Sequence, residues 1–252
     1  MITIKKSHEI KALRKSARLV TEILEKIQDA ISPGVSLVEL DELVAEQIKE
    51  VGAEPLYKGY KQSSNQPPFP GIITTSLNQE VCHGIPNARI LKKGDILSID
   101  IGLRYEGWCG DTCVTLPVGG ISKEAQDLID ATRKSLAEGI QAAKSGSHLS
   151  DIGAAIEAFA KKQGYGVVRE YGGHSIGKEL HESFVPHTGP GGRGPILEPG
   201  MVLNIEPMLN IGKPSVKLLS DGWTVVTTDG SLSAQFEQTI VITKNGPDIL
   251  NL

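Results

Sequence analysis

Thiol chemistry is nearly absent from this chain: 252 residues hold three cysteines, Cys82, Cys109 and Cys113, and no CxxC spacing. Three cannot all pair within one chain and none stands in a CxxC spacing, so a reducing cytosol is the simple reading. A long apolar run is missing too. No stretch of roughly 18 apolar residues exists to span a bilayer. Lys5-Lys6 does not open a signal peptide, because His8, Glu9, Lys11 and Arg14 interrupt any apolar core after it. Excess charge is also absent. A net −4 gives no general attraction to nucleic acid or to an anionic membrane. What remains is an ordinary globular composition, 39% apolar and 22% charged, long enough for one large domain or two small ones.

The pattern along the chain is two helices then sheet, twice. Ser7 to Ile31 has helical periodicity, ended by Ser32-Pro33-Gly34. Ser36-Leu37-Val38-Glu39 reads as a capping box opening a second helix that runs to Val51, with Gly52 as its stop. After the Pro-rich loop Gln66–Gly71 come short strand-like runs up to Pro117. Ser122 to Lys144 and Leu149 to Gln163 read as helices, and strands with Gly/Pro-rich loops follow Gly164. Gly34, Leu37, Glu39, Leu40, Val44 and Gly52 are echoed by Gly146, Leu149, Asp151, Ile152, Ile156 and Gly164. Such an echo suits either an internal repeat or two similar amphipathic helices. A repeat would make one pseudo-symmetric α/β domain over 1–252, with halves of about 1–120 and 121–252.

Chemistry concentrates in five side chains: Asp100, Asp111, His174, Glu206 and Glu237. Leu97, Ile99, Ile101 and Leu103 alternate with Ser98, Asp100 and Gly102, so Asp100 lies on the less apolar face of a strand. A turn at Tyr105-Glu106 would set Asp100 directly opposite Asp111; a Gly107 bulge would shift that register and call for another bulge, at Gly110. Facing carboxylates repel unless a cation or proton lies between them. Strand-end aspartates also serve turns, so the pair alone leaves both readings open. Glu206 interrupts the apolar run Met201–Met208, and Glu237 precedes the strand-like Thr239–Thr243, so each needs a partner if buried. His174 lies among small residues that leave room for a ligand. Four carboxylates and one imidazole form a hard ligand set suited to paired divalent ions, which can arm a shared water for hydrolysis. His83 and His181 are candidate proton-handling groups, while His8, His148 and His187 read as surface or helix-start residues. Cys109 and Cys113 flank Asp111 and read as packing residues.

VCHGIP, the Asp100/Asp111 pair, VVREYGGHSIG, LNIEPM, DGWTV and SLSAQFEQTIVIT occur in an order and spacing that resemble the type I methionine aminopeptidases across nearly the whole chain. The resemblance implies the pita-bread (creatinase/aminopeptidase) fold: two helices plus antiparallel sheet, repeated about a pseudo-two-fold axis around a dinuclear metal site. It implies that Asp100 chelates one ion, that Asp111 and Glu237 bridge, and that His174 and Glu206 complete the other; the ions would be Co, Mn, Fe or Zn. It further implies that His83 meets the scissile amide, that His181 meets the carbonyl oxygen, and that Glu206 shuttles a proton. Phe69, Thr74, Leu180 and Trp223 would line a methionine pocket, with Ser63 nearby. The implied enzyme is a cytoplasmic monomer that removes the initiator methionine from nascent chains before a small second residue, in the neighbourhood of the ribosome. The expected enzyme is therefore of the kind without an N-terminal zinc-binding extension and without the large type II insertion. Ser175 replaces the family's usual Gly, and Ser183-Phe184-Val185-Pro186 is one residue shorter than usual. The competing readings are an Xaa-Pro peptidase of the same fold, a non-catalytic peptide binder and a structural metal protein.

Overall fold

The structure, a computed structural model, describes residues 2–252. Helix α1 (Ser7–Ile27) buries Leu13, Ala17, Val20, Leu24 and Ile27, a stripe at three- and four-residue spacing. It stops four residues before the expected Ile31 and tightens into a 3-10 turn, Gln28–Ala30. The chain must leave helical geometry ahead of Pro33, which disfavours that conformation in the residue before it. Helix α2 (Leu37–Glu50) begins with the expected box: the Glu39 N–H donates to Ser36 Oγ, and the Ser36 N–H donates to the Glu39 carboxylate at 2.7 Å.

Helices α3 (Lys123–Ala142) and α4 (Leu149–Gln163) form the second pair. α4 is boxed in the same manner, the His148 N–H donating to Asp151 Oδ2 at 2.7 Å. Gly52 and Gly164 end their helices with φ of +68° and +85°. The sequence echo therefore marks helices that start and stop alike.

Each pair covers its own sheet. α1 and α2 bury Val20, Ile23, Leu40 and Val44 against Leu97, Ile99 and Ile101 of the strand Ile96–Tyr105. That strand pairs with Thr74–Leu77 on one edge and Trp108–Pro117 on the other. α3 and α4 bury Leu128, Ile152 and Ile156 against Leu203, Ile205 and Ile240. Their sheet is five-stranded, in the order Gly246–Ile249, Gln238–Thr243, Val202–Ile205, Gly173–Ser175, Ser183–Val185. The two sheets are tied together where Glu237 N–H, just before Gln238–Thr243, donates to the Cys113 carbonyl at 2.8 Å, and Thr115 Oγ1 donates at 2.8 Å to the Gln235 carbonyl of the strand Ser233–Gln235, which pairs with Met208–Asn210 in a separate sheet. Among the described residues no helix is long and apolar enough to cross a membrane.

Candidate metal centre and its cavity

The hairpin that carries both aspartates turns at Glu106-Gly107, not at Tyr105-Glu106, and it needs no bulge. A two-residue turn of this hand requires positive φ at both central residues, here +51° and +83°; glycine tolerates that and the bulky Tyr105 does not. The register consequently differs from the expected one by two residues. Asp111 faces Gly102, and Asp100 faces Cys113. An offset of two preserves the face, so both carboxylates still point to the same side.

Across the sheet junction, His174 and Asn204 are cross-strand partners. Glu206 lies one residue beyond its strand, and Glu237 one residue before the next. His174 Nε2 stands 3.4 Å from Asp111, 3.6 Å from Glu206 and 3.9 Å from Glu237. Asp111, His174 and Glu237 alone form a buried cluster with metal-ligand spacing. Asp100 joins through Tyr57, whose hydroxyl lies 2.6 Å from Oδ1 of both aspartates, placing those oxygens within about 5 Å of one another. All five expected side chains are thus brought together.

They form the floor of a cavity of about 40 Å³ walled by Tyr57, Tyr60, Phe69, Thr74, His83, His181 and Trp223. Phe69 meets Trp223 edge-on at 5.2 Å, and Trp223 Nε1–H is anchored on the Pro67 carbonyl at 2.9 Å. Leu180 packs in the same apolar cluster but lies outside the cavity lining, and Ser63 is exposed beyond it. His181 packs against His174 with ring centroids 4.4 Å apart, and its Nδ1 meets the Tyr60 hydroxyl at 2.8 Å. His83 holds a left-handed backbone, φ +57°, a strained conformation that aims its ring between Tyr171 and Trp223. The cavity opens to a groove of about 410 Å³ lined by Glu170, Tyr171, Phe184 and Met208.

Residues 11–244 match the family model described as metallopeptidase family M24. The chain is 47% identical over 251 residues to methionine aminopeptidase 1 of Bacillus subtilis, covering 99% of both chains. It is 42% identical to methionine aminopeptidase of Escherichia coli, covering 100% of this chain and 94% of that one. The chain belongs to metallopeptidase family M24. The solved methionine aminopeptidase of Rickettsia prowazekii superposes with a TM-score of 0.96 at 40% identity, over the full length of both. Prolidase from Pyrococcus furiosus, at 20% identity and a TM-score of 0.78, shares the fold alone. The fold is therefore the α/β pita-bread fold.

Membership in M24 implies a divalent metal cofactor, and the donor set fits one. Burial comes first in pushing the Asp100, Glu206 and Glu237 carboxyls well above the usual range, followed by repulsion from their carboxylate neighbours. Such a cluster must be neutralised, by protons or by cations. Burial holds His83 down to about 4. His181 is held down to about 3, first by the protein around it and then by His174, although solvent at the exposed mouth softens this.

Sequence reasoning missed the residues that brace this M24 centre. Asn204 Nδ2–H donates to Glu237 at 2.7 Å and approaches Asp111 and His174 at 3.4 Å. Gln235 donates to Glu206 at 3.0 Å. The expectation that His187 lies at the surface is corrected: it is 2% exposed, and its Nε2 accepts the N–H groups of Gly173 and Glu206. The segment fits under the sheet because α4 presents Gly153 to it, where a Cβ would lie 2.6 Å from the Pro186 carbonyl oxygen. A polar Asn204 in the apolar run Val202–Ile205 was a readable signal; nothing in the local pattern marked Tyr57 or His187. All three cysteines are free and buried.

Proposed function

We propose that this chain is a methionine aminopeptidase that removes the initiator methionine from nascent polypeptides before a small second residue. The observation that carries it is the convergence of Asp100, Asp111, His174, Glu206 and Glu237 on the floor of a small cavity with aromatic walls. These five residues would hold two divalent ions, Co, Mn, Fe or Zn, with Asp111 and Glu237 shared between them. When bound, such ions polarise a carbonyl and lower the pKa of water toward neutrality.

The chain's own groups supply the rest. Glu206 keeps one oxygen toward His174 and has the other braced by Gln235, so it is placed to take a proton from water and pass it to the leaving amine. The Tyr60 hydroxyl stands 2.8 Å from His181 Nδ1; in the tautomer in which Tyr60 donates, the ring proton is on Nε2, where a neutral imidazole can donate to the substrate carbonyl oxygen as charge develops. His83, neutral and fixed by its strained backbone, meets the scissile amide. Phe69, Thr74 and Trp223 seat the methionine side chain, with Leu180 packed behind; an apolar, polarizable wall suits a thioether. Everything past the second residue leaves through the groove beside Tyr171 and Phe184.

The same proposal covers one catalytic domain over 1–252, a monomeric cytoplasmic enzyme, and encounter with its substrate near the ribosome. Turnover of Met-Ala-Ser against Xaa-Pro peptides, with and without chelator, tests it. Methionine release that is lost on chelation and restored by Mn²⁺ or Co²⁺ is expected; cleavage of Xaa-Pro peptides alone would replace it with a prolidase reading.

A further inference from the structure

The strand register does not bring Asp100 and Asp111 together. They are diagonal neighbours, Asp111 facing Gly102 and Asp100 facing Cys113, and residues so related stand about 7–8 Å apart along the backbone. Tyr57 closes the difference. Its hydroxyl is 2.6 Å from Oδ1 of each aspartate, and its ring fills the notch over Gly102, where a Cβ would come within 2.9 Å of the ring carbons. Any side chain at position 102 would displace the phenol. The same ring meets Phe69 nearly at right angles, with centroids 6.4 Å apart, so one residue joins the apolar wall to the carboxylate floor.

We propose that Tyr57 is a positioning residue of the metal centre: its hydroxyl, wedged over Gly102, sets the separation at which Asp100 and Asp111 meet a divalent ion. The phenol sets a single hydroxyl between two carboxylate oxygens. One hydroxyl carries one proton, whereas two short contacts to two carboxylates call for two positive partners. A cation shared by the aspartates completes that set, which couples the clamp to metal binding.

The proposal rests on Asp100 and Asp111 being ligands, and the experiment separates the two claims. Mn²⁺ is titrated calorimetrically into the full chain, the Tyr57→Phe variant and the Gly102→Ala variant. Visible spectra are taken of the Co²⁺ forms, and melting is followed without metal. Tyr57→Phe is expected to weaken Mn²⁺ binding about 10–100-fold and to shift the Co²⁺ bands, with melting changed by no more than a few degrees. Gly102→Ala should move affinity in the same direction. Unchanged affinity and spectra in Tyr57→Phe would overturn the clamp, and tighter binding would overturn it by showing that the phenol competes with the ion. A phenolate charge-transfer band in the Fe³⁺ form, lost in Tyr57→Phe, would overturn it in favour of direct ligation. Absence of Mn²⁺ binding by the unaltered chain would sink the ligand assignment itself.

Discussion

The two sheets furnish the same kind of group by opposite means. In the first half, one hairpin with a single tight turn carries Asp100 and Asp111, and a tyrosine from outside the hairpin bridges them. In the second, His174 comes from the middle of one short strand and Glu206 and Glu237 from the ends of two others, held by Asn204, Gln235 and the backbone-binding His187. A hairpin needs only its turn to fix the face its side chains present. Three separate strands need a scaffold of buried polar contacts, each of which is costly when left unpaired. The hairpin half should therefore respond to changes at a few points, and the other half to any loss in its supports.

The largest expected effect is from His174→Ala, which should remove one ligand and reduce Met-Ala-Ser turnover to near background. Metal analysis should show one ion lost, and full activity with one ion missing would contradict the assignment. Next comes His181→Ala. It should keep both ions and slow kcat by about 10²–10⁴-fold, the range for a positioned proton donor; unchanged kinetics would remove His181 from the chemistry. His187→Leu should destabilise the chain by about 1–3 kcal/mol for each N–H it orphans, at Gly173 and Glu206, as read by denaturant midpoint. An unchanged midpoint would mean that the second half does not depend on its buried supports.

Metal binding should also be linked to pH. Asp100, Glu206 and Glu237 hold protons above the ordinary carboxylate range, so an incoming ion must expel them, and affinity should fall as pH is lowered. In the metal-free chain the same raised pKa values contribute stability that is lost as pH rises through them. The depressed histidines act the other way: His187, held to about 3, and His83, held to about 4, lie below the unfolded 6.5, so their contribution is lost as pH falls from about 6.5 toward 4, whereas that of His181, also held to about 3, is weakened by the solvent its ring meets. Added Mn²⁺ should therefore raise the melting temperature more at about pH 8 than at about pH 6. An equal rise at both would break the link. The smallest effect concerns the thiols. Cys82, Cys109 and Cys113 are buried with raised pKa values, so a thiol reagent should leave the native chain unlabelled.

The helices and the convergence of five ligand-type residues were legible because periodicity, caps and misplaced charges are local signals. Ser36 and Glu39 announced their box, and Glu206 was conspicuous in an apolar strand. The hairpin register was not legible, since Tyr105-Glu106 and Glu106-Gly107 both read as turns and only the φ requirement separates them. Tyr57, His187 and the exclusion of Leu180 from the cavity were hidden for another reason. Each depends on contacts between segments far apart in the chain, such as the Tyr57 ring over Gly102, to which no periodicity corresponds.

The most direct measurement is metal content taken on the same samples as methionyl-tripeptide turnover, before and after chelation. The expected result is two divalent ions per chain, with turnover that disappears with them and returns when they are restored. Undiminished turnover by the stripped chain would contradict the account.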